Sequence, residues 1–90
     1  HQPILVQFDA IKQIRTKNGQ NMAFVTLNDG MLLMDGVIFP DKFKKYETSI
    51  SNEEMYIVIG KFEKRNQQLQ LIINQIIEVN EFKNQKIKTT

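Results

Sequence analysis

Phe39-Pro40-Asp41-Lys42-Phe43-Lys44-Lys45-Tyr46-Glu47-Thr48-Ser49-Ile50 is the stretch on which the fold turns. Proline early in a helix costs no hydrogen bond, because the first N–H groups of a helix have no intrahelical acceptor. Asp41 sets a carboxylate near the positive end of the helix dipole. Phe43, Tyr46 and Ile50 follow at i, i+3 and i+7, one apolar stripe on a short helix. Lys42, Lys44 and Lys45 form a basic patch that reads as its solvated face.

The segments on either side have strand character. Met31–Phe39 is apolar except for Asp35 and Gly36 and reads as a third strand whose inward face periodicity does not settle. Asn28-Asp29-Gly30 before it is a tight hairpin signal. Met22–Leu27 is a second strand, with Ala23, Val25 and Leu27 on one face and Met22, Phe24 and Thr26 on the other. Lys17-Asn18-Gly19-Gln20 is a turn. In Ile4–Thr16, Val6, Phe8 and Ala10 keep a period of two that Ile11 and Ile14 break, as a curled strand with a bulge would. Downstream, Ser51-Asn52-Glu53-Glu54 is a loop, and Met55–Lys64 is a fourth strand that Gly60 lets bend. Arg65-Asn66-Gln67 is a turn and Gln68–Val79 a fifth strand.

Three antiparallel strands, a helix and two more strands are the parts of an all-β, five-stranded OB-fold barrel with a short helix between strands 3 and 4. Closure hides the strand edges. An SH3-like barrel would leave the helix unexplained. Val25, Leu27, Ile57, Ile59 and Leu71 are the expected core. Residues 1–3 are expected to be a tag or linker remnant, residues 4–79 the domain, and residues 80–90 a polar, lysine-rich C-terminal tail.

Composition narrows the chemistry. Ninety residues make one domain with a modest core. With no cysteine and one histidine, His1, the chain offers neither a disulfide scaffold, nor a thiolate metal site, nor a histidine triad. No apolar run reaches the roughly 20 residues of a membrane span. The four glycines match no nucleotide-binding fingerprint. Of the acids, Glu53-Glu54 read as solvated and Asp29 serves a turn; Asp9 and Asp35 lie on strands with no base, nucleophile or metal cluster beside them. No catalytic residue, metal ligand or cofactor is therefore expected.

Binding is better supported. Lys12, Arg15 and Lys17 cluster at the end of the first strand and its turn, and Lys61, Lys64 and Arg65 at the end of the fourth. In an OB barrel these loops flank the ligand face of strands two and three, where Phe24 and Thr26 are expected. Charges that track phosphates around a ring that stacks a base suffice for single-stranded nucleic acid. The net charge of +2 is compatible with such a partner. The alternative is a protein-interaction barrel, with Phe24 buried and the charges dispersed.

Thr16-Lys17-Asn18-Gly19, Met22–Asp29, Val37-Ile38-Phe39-Pro40, Gly60-Lys61 and Leu69-Gln70-Leu71-Ile72 together resemble the OB-fold, tRNA-anticodon-like nucleic-acid-binding domain of bacterial DNA polymerase III alpha subunits of the DnaE type. The likeness covers nearly all of Ile4–Val79. It departs at Val6, where the family usually has a small residue, at Asp35, usually glutamate, and at Gly30-Met31-Leu32, where threonine-glycine commonly follows the hairpin aspartate. Anticodon-binding barrels of tRNA synthetases share the aromatic at Phe24 but typically carry arginine where Asn28 stands. The resemblance implies a module without the polymerase active site, whose parent is a DNA-directed DNA polymerase. It also implies single-stranded DNA, the rest of the polymerase chain and other replisome subunits as partners, no membrane, and a bacterial cytoplasmic location. Gln68-Leu69-Gln70-Leu71-Ile72 also resembles the peptide that bacterial replication proteins insert into the sliding clamp, but here it is the natural fifth strand rather than a free segment.

Overall fold

The computed structural model describes residues 3–79. The expected tail at residues 80–90 lies outside the described residues, as do residues 1 and 2. The elements are β1 (Pro3–Arg15), β2 (Asn21–Asn28), β3 (Leu33–Ile38), α1 (Pro40–Tyr46), β4 (Met55–Arg65) and β5 (Gln68–Glu78). The strands close into a barrel in the order β1-β2-β3-β5-β4, with β3 and β5 parallel and the other pairs antiparallel. This is the OB barrel that the helix after the third strand predicts.

One long strand serves two neighbours. The start of β1, Pro3–Gln7, pairs with β4, and Gln7–Arg15 pairs with β2. Between Phe8 and Ala10 the register slips, so Asp9 is bulged and the inward parity changes. Val6 and Phe8 are buried before the slip, and Ile11, opposite Val25, turns inward after it. The inward run was expected to continue to Ala10; the bulge comes one residue sooner and leaves Ala10 exposed. Pro3 stands opposite Ile59, one residue ahead of the expected start of the domain at Ile4. The first residue of a strand is where proline is tolerated.

β4 corrects the expected core. Val25, Leu27 and Leu71 are buried, but Ile57 and Ile59 are only half-buried, and Tyr56, Val58 and Gly60 face inward instead. Both alternating sets of this strand are apolar, so alternation could not choose between them. The Tyr56 ring packs on Phe8 with centroids 5.0 Å apart. Its hydroxyl accepts the Ser51 N–H at 2.8 Å and donates to the Ser49 carbonyl at 3.2 Å. Thus the ring joins the core while its polar end is satisfied. At Gly60 a Cβ would run into the Ile72 carbonyl, and the β4–β5 register shifts beside it. Only glycine admits that approach.

α1 opens at Pro40 as expected and packs against β2 and β5, bringing Phe43 and Tyr46 into the interior cluster. It is shorter than the stripe implied. The helix ends at Tyr46, and Ile50 reaches the core from the following loop, its N–H on the Tyr46 carbonyl at 3.2 Å.

Two hairpins frame the outer surface. The one before β3 is longer than a tight turn: Asp29 Oδ1 accepts the N–H groups of Leu32 and Met31 at 2.8 and 2.9 Å, and Gly30 takes φ +99°. These two bonds, Leu32 foremost, hold the Asp29 carboxyl below the ordinary aspartate value. β3 therefore starts at Leu33 rather than Met31, and Met31 and Leu32 stand in solvent. The β4–β5 hairpin turns on Asn66 and Gln67, both at positive φ (49° and 67°), between the paired Arg65 and Gln68. Positive φ at both central residues is the tight turn whose twist suits adjoining strands.

Candidate nucleic-acid interface

The register builds two adjacent rows across the outside of the barrel. The first runs Lys12, Phe24, Val37, Ile72, Lys61, each paired with the next. The second, one pleat along, runs Ala10, Thr26, Asp35, Gln70, Glu63. Phe24 follows from the alternation of β2: with Ala23, Val25 and Leu27 in the core, it must point out, and it is 39% exposed. Lys12 stands directly across from it. Val37 belongs to the same outer row yet is fully buried, flanked by Phe24 and Ile72.

The tip of the β4–β5 hairpin reaches over this surface. The Arg65 guanidinium lies 5.6 Å from the centroid of the Phe39 ring, which places the hairpin across β3. Such a cation over an aromatic face contributes about 0.5–1 kcal/mol at an exposed site. Beneath the hairpin, Phe24, Asp35, Arg65, Asn66, Gln68 and Gln70 line a groove of about 240 Å³ that Leu69 completes.

The structure thus brings Phe24 and Arg65 to one groove, with Lys12 paired across from Phe24, Thr26 on the wall of the adjoining groove and Lys61 at the far end of the Phe24 row. Arg15 and Lys64 fall on the opposite pleat of their strands from Lys12 and Arg65. Arg15 leans along the first turn, where a Cβ on Gly19 would lie 3.8 Å from its Nη2. Lys17 is exposed in that turn, which the Thr16 N–H closes on the Gln20 carbonyl at 2.7 Å. Sequence reasoning missed Phe39, Asp35 and Gln70 as parts of the site. No local signal could have found the last two together, because the parallel β3–β5 pairing joins segments far apart in the chain.

A second, more apolar groove adjoins the first and shares Asp35, Gln68 and Leu69 with it. Phe62 and Leu69 there meet Leu32, Leu33 and Met34 around a space of about 540 Å³. Leu33 and Leu69 are 65% and 61% exposed. Among the described residues no group of three His, Cys, Asp or Glu could hold a metal ion. No helix of the described chain is long and apolar enough to cross a membrane.

Comparison with known proteins gives this surface a context. Residues 10–79 match the family described as OB-fold nucleic acid binding domain. The chain belongs to that family. The OB domain is similar to a segment of DNA polymerase III subunit alpha from Staphylococcus epidermidis, 76% identical over 90 residues. It is 63% identical over 87 residues to the same subunit from Staphylococcus aureus, which covers 97% of the chain. The chain spans only 8% of the length of these curated relatives. Among solved structures, the second OB-fold domain of replication protein A from Methanococcus maripaludis superposes with a TM-score of 0.64. That match covers 86% of this chain and 81% of the other at 15% identity, a likeness of fold.

Proposed function

We propose that this OB domain binds single-stranded DNA across the outer face of β2 and β3, holding template strand for a bacterial replicative DNA polymerase. The observation that carries the reading is the exposed Phe24 ring, with Lys12 directly across from it and Arg65 on the rim of its groove. A base stacks on the ring, and the cations take adjoining phosphates. The likeness to DNA polymerase III alpha subunits supports the replicative setting. In this reading nucleotidyl transfer belongs to the remainder of the parent polymerase, and binding here needs no cofactor.

Phosphate contacts release counterions, so log affinity falls with log salt at about 0.7 per contact on a single strand. Titrating the chain into a labelled mixed-sequence oligonucleotide at several salt concentrations reads that slope. Lys12→Ala and Arg65→Ala should each weaken binding and flatten the slope by about one contact. Binding absent at low salt, or slopes untouched by both substitutions, would contradict the proposal.

The apolar groove favours a second role. Contiguous exposed apolar surface of this kind is characteristic of protein contacts. In this reading the Leu33–Phe62–Leu69 side docks on the rest of the polymerase chain or another replisome subunit. It shares Asp35, Gln68 and Leu69 with the Phe24 groove, so a partner seated there would border the bound strand.

A further inference from the structure

We infer that Asp35 reads the base stacked on Phe24, favouring nucleobases whose pairing edge presents an amino group; the inference rests on the single-stranded DNA reading above. Asp35 is out of place on a surface built for phosphates. It is exposed, stands beside Thr26 on β2 and Gln70 on β5, and lines the same groove as Phe24.

The other two aspartates of the barrel's strands and turns are tied to neighbours within the chain. Asp29 closes its hairpin through two backbone N–H groups. Asp9 accepts from Gln7 Nε2 at 3.0 Å and Asn28 Nδ2 at 3.2 Å. Asp35 has no comparable hydrogen bond among the described residues. The cation nearest to hand does not claim it either, since the Arg65 guanidinium is set over the Phe39 ring.

The register fixes where the carboxylate meets a ligand. Phe24 pairs with Val37 and Thr26 with Asp35, so Phe24 and Asp35 are diagonal neighbours on one face. Diagonal positions on paired strands are roughly 7–8 Å apart, within the span of a nucleobase. A base lying on the Phe24 ring therefore extends its edge over the second row, which holds Thr26, Asp35, Gln70 and Glu63. That row is rich in acceptors and carries two carboxylates, so a phosphate there would be repelled. A base amino group would instead donate a charge-assisted hydrogen bond to Asp35. Cytosine offers N4–H₂ at that edge, whereas uracil offers the acceptor O4. Gln70, able to donate and accept, can pair with the neighbouring position on either base.

Oligo-deoxycytidine and oligo-deoxyuridine of equal length isolate the effect, because they share backbone charge and ring size. Fluorescence anisotropy at low salt should show the chain binding the cytidine oligomer about tenfold tighter, the low end of what a well-made base contact discriminates. Asp35→Asn, which keeps the shape and loses the charge, should bring the ratio close to one, chiefly by improving binding to the uridine oligomer. Asp29→Asn, which removes an acid from the hairpin outside this groove, should leave the cytidine preference standing. Equal affinity of the wild-type chain for the two oligomers would overturn the inference while leaving the DNA-binding reading intact. So would an Asp35→Asn protein that binds both more tightly with the ratio unchanged, since the acid would then act only as a general repulsive charge. Binding to neither oligomer would overturn the DNA-binding reading and this inference with it.

Discussion

Phe8 and Phe24 lie in adjacent strands of one barrel and are put to opposite uses. Phe8 is fully buried on β1, its ring tilted against Tyr56. Phe24 on β2 stays 39% exposed, with a lysine across from it and an arginine on the rim of its groove. The interior ring is explained by packing alone: it fills volume in a small core. The outer ring fills none of that core, whose β2 side is occupied by Ala23, Val25 and Leu27; it flanks Val37 and leaves part of its surface in solvent. In the proposed function that exposed surface is what a base stacks on.

The largest expected effect belongs to the interior. Phe8→Ala should destabilise the domain by about 3–5 kcal/mol, the usual cost of emptying a buried aromatic site. A domain of this size has little more stability than that to lose. Urea denaturation should find the variant largely unfolded. A shift of less than about 1 kcal/mol would mean that the Phe8–Tyr56 packing matters far less than its burial implies.

The smallest effect belongs to the hairpin turn that precedes β3. The Asp29 carboxyl, held below its ordinary value by the Leu32 and Met31 N–H groups, binds protons less readily in the folded than in the unfolded chain. Its contribution to stability is therefore present above the unfolded pKa and disappears as pH falls through the folded one. Melting curves of the wild-type chain and Asp29→Asn should differ at neutral pH and converge in acid. A gap that stays constant across that range would remove the charge from the account of this turn. DNA affinity at neutral pH should be unchanged, since Asp29 lies outside the Phe24 groove.

The two regions also differ in how far they could be read from sequence. Local signals gave the elements: Pro40 and Asp41 marked the helix start, Arg65-Asn66-Gln67 the second hairpin, and the alternation of Met22–Leu27 both the buried and the exposed face of β2. β4 resisted, because Met55, Ile57 and Ile59 are as apolar as Tyr56 and Val58. The choice was made by the ring contact with Phe8 and the hydroxyl bonds to Ser49 and Ser51, none of them local to an alternation pattern. The candidate site was legible in the same partial way. Phe24, Thr26 and the basic residues followed from strand ends and loops. The placing of Asp35 beside Gln70 required the parallel β3–β5 contact, and the reach of Arg65 to Phe39 required the hairpin to arch over β3.

Phe24→Ala tests the central claim most directly when stability and DNA affinity are measured on the same protein. Because the ring lies outside the core, the variant should stay folded, within about 1 kcal/mol of the wild-type chain. Its affinity for a mixed-sequence single strand should fall by about 1–3 kcal/mol, the worth of one stacked base, with the salt slope little changed. A folded Phe24→Ala protein with undiminished affinity would contradict the claim that this surface stacks a base.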